Sequence, residues 1–361
     1  MNISMESIAD KVLQGQRLTR EEGIFLYRSH DLLTLGELAR RQKKEKSGSY
    51  VFFNVNRHIN LSNVCHARCQ FCAFGRDQED PGAYLMTVEE AFQFGAEAVP
   101  FGITEFHIVS ALHPDMGLDY YLEIISRLHE AFPSIHIQAF SAAEIVHFTR
   151  ISGLASEEVL KKLQAAGLAS LPGGGAEILK DDLRQKICPN KASSEEWLEV
   201  HRVAHKLGMK TNCTMLYGHL ESIEDRIDHL LQLRRLQDES PGFKAFIPLP
   251  FLPDNTGLEH IRRTSAVDDI KTIAISRLML DNIDHVKAFW IMLGLPVAQI
   301  SLEFGADDLD GTVIEERIMH AAGVETKKGI TQDELIQWIR QAGYIPVERD
   351  TVYNILQKYE S

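Results

Sequence analysis

Three of the chain's five cysteines, Cys65, Cys69 and Cys72, fall in the single stretch Asn60-Leu61-Ser62-Asn63-Val64-Cys65-His66-Ala67-Arg68-Cys69-Gln70-Phe71-Cys72-Ala73-Phe74. Thiolates this close in one loop converge on a compact metal centre, whereas three cysteines cannot all pair as disulfides without leaving one over. A structural zinc site would need a fourth ligand, for which His66, Cys188 and Cys213 are the candidates. A 4Fe-4S electron carrier also normally takes four thiolates. Three neighbouring thiolates with no evident fourth also fit a 4Fe-4S cluster whose last iron stays open to a small molecule, an open position being what separates catalytic from structural metal sites.

Other residues carry weaker signals. In Leu171-Pro172-Gly173-Gly174-Gly175-Ala176-Glu177 the glycines let backbone approach a ligand and Glu177 offers an acceptor for ligand hydroxyls; a turn without a ligand weighs equally. Arg184 or Lys186 suits a carboxylate partner, or is a solvated charge. His58 is a candidate for the inside of the fold, where it meets a ligand carboxylate or hydrogen-bonds within the core. His201 and His205 have zinc spacing, but Arg202-Val203-Ala204 between them lacks the glutamate of a metalloprotease, so both read as surface histidines of an outer helix. Cys188 and Cys213 read as buried small apolar residues. Asp307, Asp308 and Asp310 are expected to cap a helix starting near Thr312 or to hold polar groups of a ligand at the mouth of the fold.

The elements that must position these residues alternate. Residues 1–49 read as a helical cap, with Thr19-Arg20-Glu21-Glu22 as a capping box. Strand-like runs then appear at Ile59–Val64, Phe106–Val109, Ile135–Ala139, Leu168–Leu171, Lys210–Tyr217, Lys244–Pro248, His285–Met292 and Gln299–Phe304, separated mostly by amphipathic helices. Thr87-Val88-Glu89-Glu90 and Ser193-Ser194-Glu195-Glu196 open two of those helices. Eight strand–helix units favour a closed α/β barrel of the TIM type over an open sheet, with chemistry at the carboxyl ends of the strands, where the cysteine loop falls. The barrel core is expected over 50–324. Two closing helices, Thr331–Ala342 and Arg349–Tyr359, are expected in a carboxyl-terminal unit, 325–361.

The whole chain, 361 residues, is 44% apolar and 25% charged, with a net charge of -13. That is ordinary for a soluble globular protein and argues against nucleic acid, which needs Lys and Arg gathered on one face. No apolar run approaches a membrane span and the amino terminus lacks a signal-peptide core, so no membrane association and a cytoplasmic location are expected. The odd cysteine count agrees with a reducing compartment.

Cys-x3-Cys-x2-Cys with an aromatic, Phe71, before the last cysteine resembles the signature of radical S-adenosylmethionine enzymes. The resemblance implies a radical SAM barrel and a cluster whose open iron takes the amino and carboxylate groups of S-adenosylmethionine. It also implies SAM-binding roles for Phe71, Ser110, Glu177, Arg184, Tyr217 and Gly218. Thr214-Met215-Leu216-Tyr217-Gly218-His219-Leu220-Glu221 is similar to the family's adenine-flanking stretch, with Thr214 in place of its first glycine. Ser110-Ala111 stands where the family usually has a Gly-Gly pair.

Further stretches, among them Phe53-Asn54-Val55-Asn56-Arg57-His58-Ile59-Asn60, Leu112-His113-Pro114-Asp115, Lys186-Ile187-Cys188-Pro189-Asn190-Lys191 and Gly305-Ala306-Asp307-Asp308-Leu309-Asp310-Gly311-Thr312, resemble the aminofutalosine synthase family of menaquinone biosynthesis. That resemblance implies a transferase. A 5'-deoxyadenosyl radical would add to 3-[(1-carboxyvinyl)oxy]benzoate to form 6-amino-6-deoxyfutalosine with release of bicarbonate and methionine, SAM being consumed as a co-substrate. Arg57, His58 and His113 become candidates for gripping the substrate's two carboxylates, and a flavodoxin or ferredoxin is the implied electron donor. The alternatives are the related dehypoxanthinylfutalosine cyclase, a deazaflavin-synthase radical enzyme, or a plain iron-sulfur electron carrier.

Overall fold

Capping residues place the amino-terminal helices of the chain, α1 (Met5–Leu13), α2 (Arg20–Arg28) and α3 (Leu32–Ser47), in a computed structural model that describes residues 3–313, 317–323 and 329–360. The expected box is formed at α2: Thr19 Oγ1 accepts from Glu22 N, and the Glu22 carboxylate accepts from Thr19 N. The boundary expected at 324–325 lies outside the described residues.

Next come β1 (Tyr50–Asn54) and β2 (Asn56–Ile59), one extended run interrupted at Val55, followed by β3 (Glu105–Ile108), β4 (His136–Ala139), β5 (Ser170–Leu171), β6 (Lys210–Tyr217), β7 (Phe243–Pro250) and β8 (His285–Val286). β2 to β8 form a seven-stranded, all-parallel sheet in sequence order. Helices α4 (Val88–Ala96), α5 (Leu118–Ala131), α6 (Ala142–Ser152), α7 (Ser156–Ala166), α8 (Asp181–Ile187), α9 (Ser194–Lys206), α10 (Ile223–Glu239) and α11 (Ala266–Met279) fill the connections, as parallel pairing demands. Strand alternation separates two chemistries. On β3, Phe106 and Ile108 are fully buried in the apolar core, where Phe106 approaches Gly95 of α4. Glu105 and His107 point the other way, into the barrel, where their partners are Asn54 and Gln138.

The eighth position is filled differently from expectation. Gln299–Phe304 is not a strand but the end of a helix, Leu295–Ser301, and a 3₁₀ turn. Pro296 sits in the first turn, Ala298, Ser301 and Leu302 are buried at helical spacing, and Gly305 (φ 98°) stops the run. The strand is β9 (Asp308–Gly311), which pairs in parallel with β1 and meets the end of β8 through Asp307 N to Val286 O (3.0 Å) and Ala288 N to Asp308 O (2.8 Å). A second sheet, ordered β11-β10-β1-β9, adds β10 (Ile345–Arg349) and β11 (Ile355–Lys358).

The carboxyl-terminal part is thus half as expected. Gln332–Gln341 is a helix, but Arg349–Tyr359 is a turn and a strand. Asp350 Oδ1 accepts from Val352 N and Asn354 N, an Asx-type turn that diverts the chain from helix. Two shorter corrections concern β2, which is Asn56–Ile59 rather than Ile59–Val64 and shares only Ile59 with the expectation, and β8, which ends at Val286 with a short helix, Trp290–Leu293, after it. His201 and His205 are turned inward rather than to the surface. His201 is fully buried, and Nδ1 of His201 and Nε2 of His205 lie 3.0 and 2.8 Å from Thr211 Oγ1 of β6. The face of α9 that carries Trp197 and Ala204 carries these histidines too, and that face packs on the sheet.

Candidate active site

The cysteine loop leaves the carboxyl end of β2 and is pinned by backbone bonds on several sides. Cys65 N donates to Arg76 O (3.0 Å), Arg76 N to Asn63 O (2.8 Å), His66 N to Leu112 O (3.0 Å) and Gln70 N to Ile187 O (2.8 Å). Arg68 turns the loop at φ 48°, a conformation non-glycine residues seldom adopt. Cys65, Cys69 and Cys72 are all unpaired, half-buried and on the wall of one pocket, with Gly75 beside Cys65 and Cys72. Burial pushes the Cys69 thiol above its ordinary range, against the pull of Lys191, so a bound cation is what would make it a thiolate ligand. The donor set therefore fits a cluster. It does not fit a zinc tetrahedron closed by Cys213, whose fully buried sulfur faces Ala245 O (3.6 Å) on β7.

The opposite wall comes from the carboxyl ends of the strands. Ser110 follows β3 and lines the pocket; its hydroxyl is buried without a hydrogen-bond partner, and its N–H donates to Glu144 Oε1 (2.7 Å). Glu144 is the third residue of α6, where its other oxygen accepts from Ser141 N and Ser141 Oγ (both 2.7 Å). Burial pushes Glu144 up to about 7 although three donors favour its ionised form. Glu177, at φ 46°, lines the pocket and pairs with Lys191 (2.6 Å), and Lys191 lies 5.3 Å above the Phe71 ring. Desolvation opposes the Lys191 charge, but Glu177 holds its pKa above the ordinary lysine value. Gly174 and Gly175 admit the pocket between this pair and α6, where a Cβ on Gly175 would run into Ala143.

Of the residues singled out in the sequence, Cys65, Cys69, Cys72, Phe71, Ser110 and Glu177 meet in this pocket. Arg184, Tyr217 and Gly218 do not line it. The buried Arg184 guanidinium donates to the carbonyls of Ala192, Ala176, Ile178 and Gly175. Tyr217 donates to Asp269 Oδ1 of α11 (2.8 Å), and Gly218 forms a turn closed by Glu221. Arg57 also faces outward, over the Phe94 ring and bonded to Phe94 O (3.2 Å). His113 is buried beside the loop, Nδ1 accepting from Asp115 N (3.2 Å). His58 alone of the three substrate candidates points into the barrel, stacked on His107.

Asp307, Asp308 and Asp310 lie at the start and along β9, not after it at the mouth. Asp307 pairs with Arg277 (2.8 Å) and His285 (2.8 Å), Asp308 with Arg349 (2.6 Å), and Asp310 with Lys287 (2.8 Å). Lys191 and Glu144 were missed in the sequence. The first ends a stretch read only for its resemblance, and the second sits in Ser141-Ala142-Ala143-Glu144, a capping box directly after a strand.

Three unpaired cysteines on a pinned loop over the mouth of a parallel barrel define a cluster-binding α/β enzyme fold. The radical SAM superfamily model matches residues 59–233, and the CofH/MqnC C-terminal region model matches residues 240–361. The chain is 44% identical to an aminodeoxyfutalosine synthase of Streptomyces coelicolor, covering 98% of this chain and 94% of that one. It is 40% identical to a 5-amino-6-(D-ribitylamino)uracil–L-tyrosine 4-hydroxyphenyl transferase of Methanopyrus kandleri, covering 86% of each. The fold is that of methylornithine synthase, at TM-score 0.72 and 19% identity over 94% of this chain and 97% of the other. The chain belongs to the radical S-adenosylmethionine superfamily, within the family of the aminodeoxyfutalosine synthases. A 4Fe-4S cluster and S-adenosylmethionine are the cofactor and co-substrate that this membership implies.

Proposed function

We propose that the chain is a transferase that joins the 5'-deoxyadenosyl group of S-adenosylmethionine to 3-[(1-carboxyvinyl)oxy]benzoate, giving 6-amino-6-deoxyfutalosine with release of bicarbonate and methionine in menaquinone biosynthesis. The observation that carries this reading is the near full-length likeness to an aminodeoxyfutalosine synthase, joined to a pocket in which the three cysteines face Ser110, Glu144, Glu177 and Lys191. Cys65, Cys69 and Cys72 would hold the cluster, which when bound supplies the electron that cleaves the sulfonium. Lys191, which lines the pocket, rather than Arg184, whose donors are taken by carbonyls, would meet the methionine carboxylate, and Ser110 Oγ and Glu177 would offer the nucleoside polar contacts. Val109, Leu216 and Leu249 give the pocket an apolar side that excludes water and stray hydrogen donors from a reactive carbon radical. An electron donor such as a flavodoxin or ferredoxin completes the system.

The test is anaerobic incubation of reduced, cluster-replete protein with S-adenosylmethionine and the enolpyruvyl benzoate, followed by mass analysis. A product carrying the intact deoxyadenosyl group supports the reading. Free 5'-deoxyadenosine with an unaltered benzoate would count against it, and ring closure in a parallel incubation supplied with dehypoxanthinylated futalosine would move the chain to the cyclase.

A further inference from the structure

A parallel barrel of this kind ordinarily fills its interior with layers of branched apolar side chains. Here the layer beneath the cysteine loop is polar and charged. β2, β3 and β4 set His58, His107 and Gln138 side by side in register, with the two imidazoles stacked 4.4 Å apart and 10° from parallel. His107 Nδ1 lies 3.3 Å from Glu105 Oε1 and 3.2 Å from Gln138 Nε2, so its other nitrogen is left for a further partner. Lys287, just past β8, pairs with Asp310 Oδ1 at 2.8 Å, and Asp310 is held at φ 70°. The end of β9, which carries Asp310, runs beside β2: Val313 N donates to Asn56 Oδ1 (2.8 Å), and Asn56 Nδ2 lies 3.5 Å from His58 Nε2.

Two details point to a ligand rather than to a sealed polar core. Asn212 of β6, across the barrel, donates through Nδ2 to Gln138 Oε1 (3.4 Å) while its Oδ1 is buried without a hydrogen-bond partner, so the polar groups of this layer do not close among themselves. The His107 side chain keeps 20% of its surface accessible, although Lys244 bonds to Thr351 O and Arg349 to Asp308 across the lower end of the barrel. Enclosing several charges for stability alone is a poor use of them, because apolar residues of like volume serve as well or better.

We propose that this floor is the subsite for the ring carboxylate of the substrate, gripped by the Lys287 ammonium and an N–H of His107. The inference rests on the function proposed above. The nucleoside enters beside the cysteine loop, so the reacting double bond must sit at the mouth. The carboxylate across the ring then reaches toward the floor, with Ile247 and Leu249 of β7, both half-buried, beside the ring. An ammonium has three donors, so Lys287 serves the ligand while Asp310 keeps its bond.

The test uses cluster-replete protein with the enolpyruvyl benzoate and the same enol ether lacking the ring carboxylate. The wild-type chain is expected to prefer the first in kcat/KM by about 30-fold, the range of a charge-assisted contact. Lys287→Met combined with Asp310→Asn removes both charges together and avoids an unpaired buried carboxylate. That variant is expected to lose most of the preference and to bind 3-methoxybenzoate about 30-fold more weakly by calorimetry, with His107→Gln intermediate. Undiminished preference and 3-methoxybenzoate affinity in both variants overturn the subsite. If the wild-type chain converts neither ether, the proposed function fails, and the calorimetry still decides the floor.

Discussion

At the scale of single residues, the proposed chemistry rests on three sulfurs and one buried ion pair. Alanine at any one of Cys65, Cys69 or Cys72 is expected to lower the iron bound per chain after anaerobic reconstitution and to abolish adduct formation. Full activity in one variant would remove that cysteine from the ligand set. Lys191 is the cation on the pocket wall, held by Glu177 at 2.6 Å. Lys191→Met is expected to weaken S-adenosylmethionine binding by about 10-fold or more, the worth of a charge-assisted hydrogen bond, measured as the cofactor-induced change in the reduced cluster's paramagnetic spectrum. Because Glu177 is then left with a buried unpaired charge, Glu177→Gln in the same chain should restore thermal stability but not affinity.

At the scale of elements, the carboxyl-terminal turn between β10 and β11 closes the barrel from below. Arg349 is buried and paired with Asp308 (2.6 Å), Tyr353 donates to the same carboxylate (2.8 Å) and stacks on His285 at 3.6 Å, and Thr351 O accepts from Lys244 (2.9 Å). Removing one partner of a buried pair leaves the other charge uncompensated, so Arg349→Ala is expected to cost about 3–5 kcal/mol in denaturant unfolding. A loss below about 1 kcal/mol, the level of an exposed pair, would mean that this turn does not seal the floor. The strand–helix alternation that makes the barrel was legible because helices such as α4 and α9 open on their own capping residues, Thr87 and Ser193, and strands such as β6 and β7 carry apolar runs. The Gln299–Phe304 and Arg349–Tyr359 segments were misread because a short apolar run fits helix and strand alike. In the first, Pro296 and Gly305 decided for helix; in the second, Asp350 imposed a turn.

At the scale of the whole molecule, buried imidazoles set the response to acid. Burial lowers His58 and His229 to about 3 and His136, His147 and His205 to about 4. In the unfolded chain each titrates near about 6.5, so between that pH and about 4 the unfolded state binds more protons. Stability present above about pH 6.5 is therefore lost as the pH falls. Glu144, raised to about 7, acts in the opposite sense, its contribution declining as the pH rises from about 4.5 towards 7, but it is one group against five. The melting temperature of the cluster-free protein is expected to drop steeply below about pH 6. A flat profile from pH 7 to 5 would show that these histidines are solvated.

The order of residues alone determined the cysteine triad, the helical caps and the alternating barrel, because each rests on neighbours in the chain: ligand spacing, hydrogen bonds three residues apart, and apolar period. Which charged side chains line the pocket was decided only by tertiary structure. Arg184 and Lys191 are both basic and close in sequence, yet one is enclosed by backbone carbonyls and the other faces the pocket. Arg57 and His58 are adjacent and point to opposite sides of β2. A strand presents its residues to two faces, and only the packing of the remaining elements settles which face is core and which is cavity.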